Sequence, residues 1–169
     1  GDITEKNFAK TAFGLVDWAP ELCVGELTVE GATVTAGLER MSPEEAVRAG
    51  AKSVVIGVAN QGGVIPESWR GVLAEALEAG LDVVSGLHTP LGSIPLLEET
   101  AKRTGRRLIE IRRPPPDLPV GTGRKRSGKR LLTVGTDCAL GKKYTALAIS
   151  REFRQRGLEV DFRATGQTG

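Results

Sequence analysis

The stretch "VGTDCALGKKYT", residues 134–145, sets a glycine turn and two adjacent lysines where a strand would pass into a helix. Backbone N–H groups at a helix start, together with the positive end of the helix dipole, attract an anion. Gly141 lets the chain approach such a group, and Lys142 is long enough to reach round to a phosphoryl oxygen. The residue after Lys142 is Lys143, where nucleoside-triphosphate-binding loops carry a Ser or Thr that holds magnesium. A lysine cannot ligate that ion. Two cations favour a metal-free polyanion such as the pyrophosphate of coenzyme A, although the hydroxyl of Thr145 is a nearby substitute ligand. The alternative is ATP with magnesium, and the bland reading is a strand-to-helix turn with no ligand.

Five residues rather than four separate Gly135 from Gly141, a spacing shared by dethiobiotin-synthetase-like loops of the form GTDxxxGK. Gly135, Thr136, Asp137, Cys138, Gly141, Lys142 and Lys143 are thus the candidate cofactor-binding residues. Cys138 lies where a helix start and a lysine would make a thiol reactive, or it is simply small enough to fit. Asp137 caps loop donors or faces a substrate amine. Downstream, "ATGQTG" at 164–169 ends the chain, and Gln167 and Thr168 would meet the same ligand if the strand before them ran parallel to 131–134.

A second group of candidates lies upstream. "GVANQGGVIP" follows an apolar run at 53–58, so Asn60, Gln61, Gly62 and Gly63 fall at the carboxyl edge where open α/β sheets bind ligands, here a substrate. "VVSGLH" does the same one unit later and carries His88, the only histidine, as a general base or polar contact. The catalytic residue itself stays open among Asp137, Cys138 and His88, and no metal site is expected.

These residues need elements to hold them. Short apolar runs alternate with amphipathic stretches, as in βαβ units feeding a parallel sheet. Strands are expected over 22–29, 53–58, 81–85 and 107–111. Ser42, Pro43 and Glu45 spell a capped helix start, with Gly50 as its stop. From Pro66 to Gly80, residues Trp69, Val72, Leu73, Ala76 and Leu77 recur at helical spacing and predict one buried stripe. A further helix is expected from about Ser93 to Thr104, stopped by Gly105. "AKTAFG" at 9–14 lacks enough context to interpret physically.

Three consecutive prolines at 114–116, followed by Gly and charge, can continue neither strand nor helix. The expected organisation is therefore a Rossmann-like α/β domain at 1–112, a linker at 113–130 and a phosphate-loop domain from 131 to 169. In the last, the sequence predicts a strand at 131–134, a helix from about Gly141 to Arg156 stopped by Gly157, and a strand at 158–164. About 40 residues rarely hold a core alone, so this part is expected to open a longer domain.

Between Arg112 and Arg130 seven basic residues face Asp117 alone, so a formal charge of +2 hides a basic segment in an otherwise acidic chain. That modest total gives no reason to expect nucleic acid. Cys23 and Cys138 are far apart and form no CxxC pair, which suits a reducing cytoplasm. No apolar run approaches the roughly 18 residues that span a bilayer, so no membrane is expected. A small-molecule substrate is the expected partner, with a homo-oligomer as a further option.

The combination of "AKTAFGL" at 9–15, "VIGVANQGG" at 55–63, "LDVVSGLH" at 81–88, the Arg-Pro-Pro linker, "VGTDCALGKKYTALA" at 134–148 and "TGQTG" at 165–169 closely resembles a two-domain family. Its members, once catalogued as of unknown function, pair an N-terminal Rossmann-like domain with a C-terminal P-loop domain. Characterised members are D-glutamate N-acetyltransferases that use acetyl-CoA. The resemblance implies an acyl transfer, with Gly135, Thr136, Asp137, Cys138, Gly141 and Lys142 matching the family loop and Gly166, Gln167 and Thr168 its next motif. Lys143 and Tyr144 depart from the hydrophobic residue and the Thr that are typical there. Family proteins continue beyond the position of Gly169. An ATP-dependent kinase or ligase of the dethiobiotin-synthetase type is the competing reading.

Overall fold

The computed structural model describes residues 2–163 except Pro114, Pro115, Leu118, Arg126, Cys138 and Ala139. The chain divides into two compact units, Gly1–Arg113 and Pro114–Gly169.

The first unit is an α/β layer structure around a parallel three-stranded sheet: β1 (Ser53–Val55), β2 (Asp82–Ser85) and β3 (Leu108–Glu110), in that spatial order. Val54, Val83 and Leu108 share one register position across the sheet, and Val55, Val84 and Ile109 the next. Parallel neighbours need crossovers, and helices supply them. α3 (Glu67–Ala79) joins β1 to β2, and α4 (Pro95–Thr104) joins β2 to β3. Before them come α1 (Lys10–Trp18) and α2 (Pro43–Arg48).

Local chemistry accounts for the helix ends. Ser42 Oγ accepts from Glu45 N–H at 3.2 Å while Glu45 Oε2 accepts from Ser42 N–H at 2.8 Å, and Pro43 occupies the first turn of α2. α3 stops at Gly80, whose φ of 103° lies in the left-handed region that glycine enters without strain. Along α3, Trp69, Leu73, Ala76 and Leu77 are buried as the spacing predicts; Val72 is half-buried, and Ala74 joins the buried set. Trp69, Leu73, Ala74 and Leu77 pack with Val83, Leu91 and Leu97 into the core, where the side chains of Leu77, Val83, Leu91 and Leu97 are fully enclosed, while Ala76 packs with Ala46 and Leu81. Fully burying one such side chain stabilises by about 1.5–3 kcal/mol. At the amino end of the sheet, Asp82 accepts from Arg107 N–H at 2.9 Å and Arg107 Nε at 2.7 Å, which fastens β3 to β2. The N-terminal segment is tied down as well, with Asp2 accepting from Trp69 Nε1 at 2.8 Å and Ser68 Oγ at 2.9 Å.

Several elements differ from expectation. Residues 22–29 form no strand; Glu26 and Arg40 make an isolated bridge, and Glu26 N–H reaches Glu39 O at 2.8 Å. Gly25 passes so close to Met41 that a Cβ there would lie 2.6 Å from Met41 Sδ, and the parallel pairing with 39–41 is limited to that single bridge. The fourth helix begins at Pro95, because Leu91–Ser93 close a separate 3₁₀ turn in which Ser93 Oγ donates to Pro90 O at 2.7 Å.

In the second unit, α5 (Lys142–Gln155) follows the glycine loop, and Gly157 takes a φ of 76° after it. Residues 131–134 and 158–163 are not in strands: among the described residues neither has a ladder partner, and Leu131, Leu132 and Val134 are exposed. Ala164 lies outside the described residues. Among those described, no helix is long and apolar enough to cross a membrane.

Candidate functional site

At the glycine loop the chain turns into α5 through Gly141, whose φ of 91° is again left-handed. Gly141 is the N-cap residue and carries no side chain with which to cap the first turn of α5. Lys142 is the first helical residue. Its stem lies over Gly135, where a Cβ would come within 3.3 Å of Lys142 Cδ, and its ammonium donates to Asp137 O. The lysine thus closes over the loop, as a residue that must reach an anion held there would. Thr133 Oγ1 donates to Lys142 O at 2.9 Å and ties the chain entering the loop to the helix that leaves it.

Gly135, Thr136 and Asp137 are exposed, and Gly141, Lys142 and Lys143 are half-buried. Burial pushes the Lys143 ammonium below its ordinary pKa, since the charged form loses hydration there. An arriving anion would reverse that loss. Thr145 Oγ1 donates to Gly141 O at 3.2 Å, which orients the hydroxyl along the helix and leaves its oxygen lone pairs unused by that bond. Cys138, Gly166, Gln167 and Thr168 lie outside the described residues.

The upstream candidates gather in the first unit at the carboxyl ends of β1 and β2. Gln61, Gly62 and Gly63 make one 3₁₀ turn after β1, in which Gly62 has φ 75° and ψ −6°. Gly63 O accepts two amides from the following loop, His88 N–H at 2.7 Å and Thr89 N–H at 3.0 Å. The His88 ring rests directly on Gly63: a Cβ there would fall 2.3 Å from His88 Cδ2. Asn60 Nδ2 donates to Val64 O at 2.9 Å, while its Oδ1 is buried and meets no partner among the described residues. The structure therefore brings Asn60, Gln61, Gly62, Gly63 and His88 together on one sheet edge.

One contributor escaped the reading of residues alone. The start of α1 abuts the same edge: Ala12 N–H donates to Gly57 O at 3.0 Å, and a Cβ on Gly57 would lie 2.7 Å from Ala12 Cβ. Ala59 N–H reaches Phe8 O at 2.8 Å, so residues 6–12 wall the exit of β1 and put Lys10 on the surface there. The available signal was the small-residue pair, Ala12 against Gly57, which permits two backbones to touch.

Comparison with known proteins gives the chain its family. A family model described as a domain of unknown function (DUF1611_N), Rossmann-like domain, matches residues 24–114, and one described as DUF1611_C, P-loop domain, matches residues 119–169. A curated protein of Pseudoalteromonas sp. named D-glutamate N-acetyltransferase is 47% identical over all 169 residues. One of the same name from Tritonibacter scottomollicae is 50% identical. The chain spans about half the length of these relatives, 51% in each case. A crystal structure of a DUF1611 family protein from Anabaena variabilis superimposes with a TM-score of 0.72 at 34% identity, covering 95% of this chain and 50% of that one. With both family models in chain order and matches to two relatives over all 169 residues of this chain, the chain belongs to the DUF1611 family, Rossmann-like in its first part and P-loop in its second.

Proposed function

We propose that the protein carrying this chain is an N-acetyltransferase that moves the acetyl group of acetyl-CoA to the amine of a small amino acid, D-glutamate being the acceptor that the relatives' names suggest. The observation that carries this reading is the Gly141–Lys142 helix start, with a left-handed glycine at the N-cap and the lysine stem folded over Gly135. Gly135, Thr136, Asp137, Cys138, Gly141, Lys142 and Lys143 then hold the CoA phosphates, and Asn60, Gln61, Gly62, Gly63, Gln167 and Thr168 serve the acceptor. The amine attacks the thioester carbonyl, the C–S bond breaks, and the proton lost by the amine passes to a base while the CoA thiolate leaves. His88, Asp137 and Cys138 are the candidates for that base.

Lys143, standing where nucleoside-triphosphate-binding loops carry a Ser or Thr, supports a ligand bound without magnesium over an ATP-dependent kinase or ligase. Titration calorimetry on the full-length protein tests this. Acetyl-CoA should bind in magnesium-free buffer, and Lys142→Ala should weaken binding by at least about tenfold, the scale of one hydrogen bond to a charged group. Absence of binding without magnesium, combined with magnesium-dependent ATP hydrolysis, would instead establish the ligase reading.

A further inference from the structure

β3 is the last strand in the order β1-β2-β3, and among the described residues no strand pairs with its outer side. Its inner side uses alternate residues: Arg107 O accepts from Val83 N–H at 3.0 Å, and Ile111 N–H donates to Ser85 O at 3.1 Å. In a ladder the residues between these turn their N–H and C=O the opposite way. Leu108 and Glu110 therefore present backbone donors and acceptors outward.

Both residues also line a groove of about 400 Å³ between α4 and the strand edge, together with Ala101, Lys102 and Arg106. Its floor is apolar, with Ala101 buried and Leu108 half-buried. Along the strand, Arg106, Leu108 and Glu110 read positive, apolar, negative; Arg113 also lines the groove, and Arg106 Nη1 donates to Gly80 O at 3.3 Å, leaving its other guanidinium N–H groups for a partner. Reversed, the same string is its own complement. On the wall above, Glu98 and Lys102, paired at 2.7 Å, repeat one charge of each sign.

We propose that this edge is the docking surface for a second copy of the chain, whose β3 adds antiparallel about a two-fold axis through Leu108. An axis perpendicular to the sheet keeps each face on its own side, so only residues of equal parity meet. Leu108 then faces the partner's Leu108 with two reciprocal backbone hydrogen bonds, and Arg106 faces the partner's Glu110 twice. Glu110 already accepts from Leu91 N–H at 2.8 Å and pairs with Arg113 at 2.7 Å, and a carboxylate retains lone pairs for another guanidinium. A peptide of a single charge sign would meet repulsion at one end of the groove. Self-pairing meets none between these positions, and it removes an edge that would otherwise invite uncontrolled association.

Sedimentation velocity on the full-length protein tests the assignment. The wild type should sediment as a dimer, and Arg106→Glu and Glu110→Arg should each weaken association by about tenfold or more through two like-charge pairs. Mixing the two variants should restore a dimer, because every edge contact then joins opposite charges. A Leu108→Cys chain should also cross-link to itself under mild oxidation, with the 108–108 peptide identified by mass spectrometry; this readout decides the matter if Glu110→Arg does not fold. The proposal is overturned if the wild type stays monomeric to about 100 µM, if Arg106→Glu associates like the wild type, or if folded variants fail to pair on mixing. Slow amide exchange at Leu108 and Glu110 in a monomer would likewise overturn it, since another part of the protein would then cover the edge.

Discussion

Gly63 carries two demands at once. Its φ of 57° is left-handed, and the His88 ring occupies the space of any side chain it would bear. Gly63→Ala should therefore destabilise the first unit by about 1–3 kcal/mol, the range for forced overpacking, readable as a lower thermal midpoint. Asp82 offers a second test. The N–H of Arg107, then its guanidinium, hold the Asp82 carboxyl below the usual carboxylate range against the opposing cost of burial. A carboxyl whose folded pKa is depressed stabilises fully above its unfolded value of about 4 and loses that contribution as pH falls through the folded value. Asp82→Asn should thus cost about 1–3 kcal/mol near neutrality, and denaturant titrations should show the gap to wild type closing as pH falls below about 4.

At the scale of elements, Leu77 is the sharpest probe of α3, since it has no exposed surface and sits where helix meets sheet. Leu77→Ala should cost about 2–5 kcal/mol, measured by chemical denaturation. α3 was legible in the sequence because its signals are local: Pro66, a recurring apolar stripe and Gly80 all lie within one stretch. The capped start of α2 was legible for the same reason. α1 gave no such signal, as its N-cap is Ala9 with no side-chain bond and its place is fixed by Gly57, far along the chain. The apolar run at 22–29 misled because strand identity depends on a neighbour that sequence alone does not supply. The candidate site shows the same divide. The left-handed turn at Gly141 and the reach of Lys142 follow from residue type, whereas the seat of His88 on Gly63 depends on two loops 25 residues apart meeting.

Across the whole molecule, burial is concentrated in the first unit, whose core residues run from Ile56 to Ala101. Of the described residues of the second unit, Ser150 alone is buried. Arg124, Lys125 and Lys129 are exposed in the segment that follows Arg113. Brief trypsin treatment should therefore cut first at these positions and leave a resistant fragment ending at Arg124, identified by mass spectrometry; initial cleavage within 56–101 would contradict this distribution of stability. Asn60, Gln61, Gly62, Gly63 and His88 belong to the first unit, and the glycine loop with Lys142 belongs to the second.

The double acceptance at Gly63 O has a design consequence. One carbonyl clasps the turn after β1 to the turn after β2, so the two segments behave as a single hinge-pin joint. Lengthening either turn by one residue, even with a sequence that suits it locally, would misalign the other. Engineers who wish to graft new specificity onto this rim must exchange both turns as a matched set.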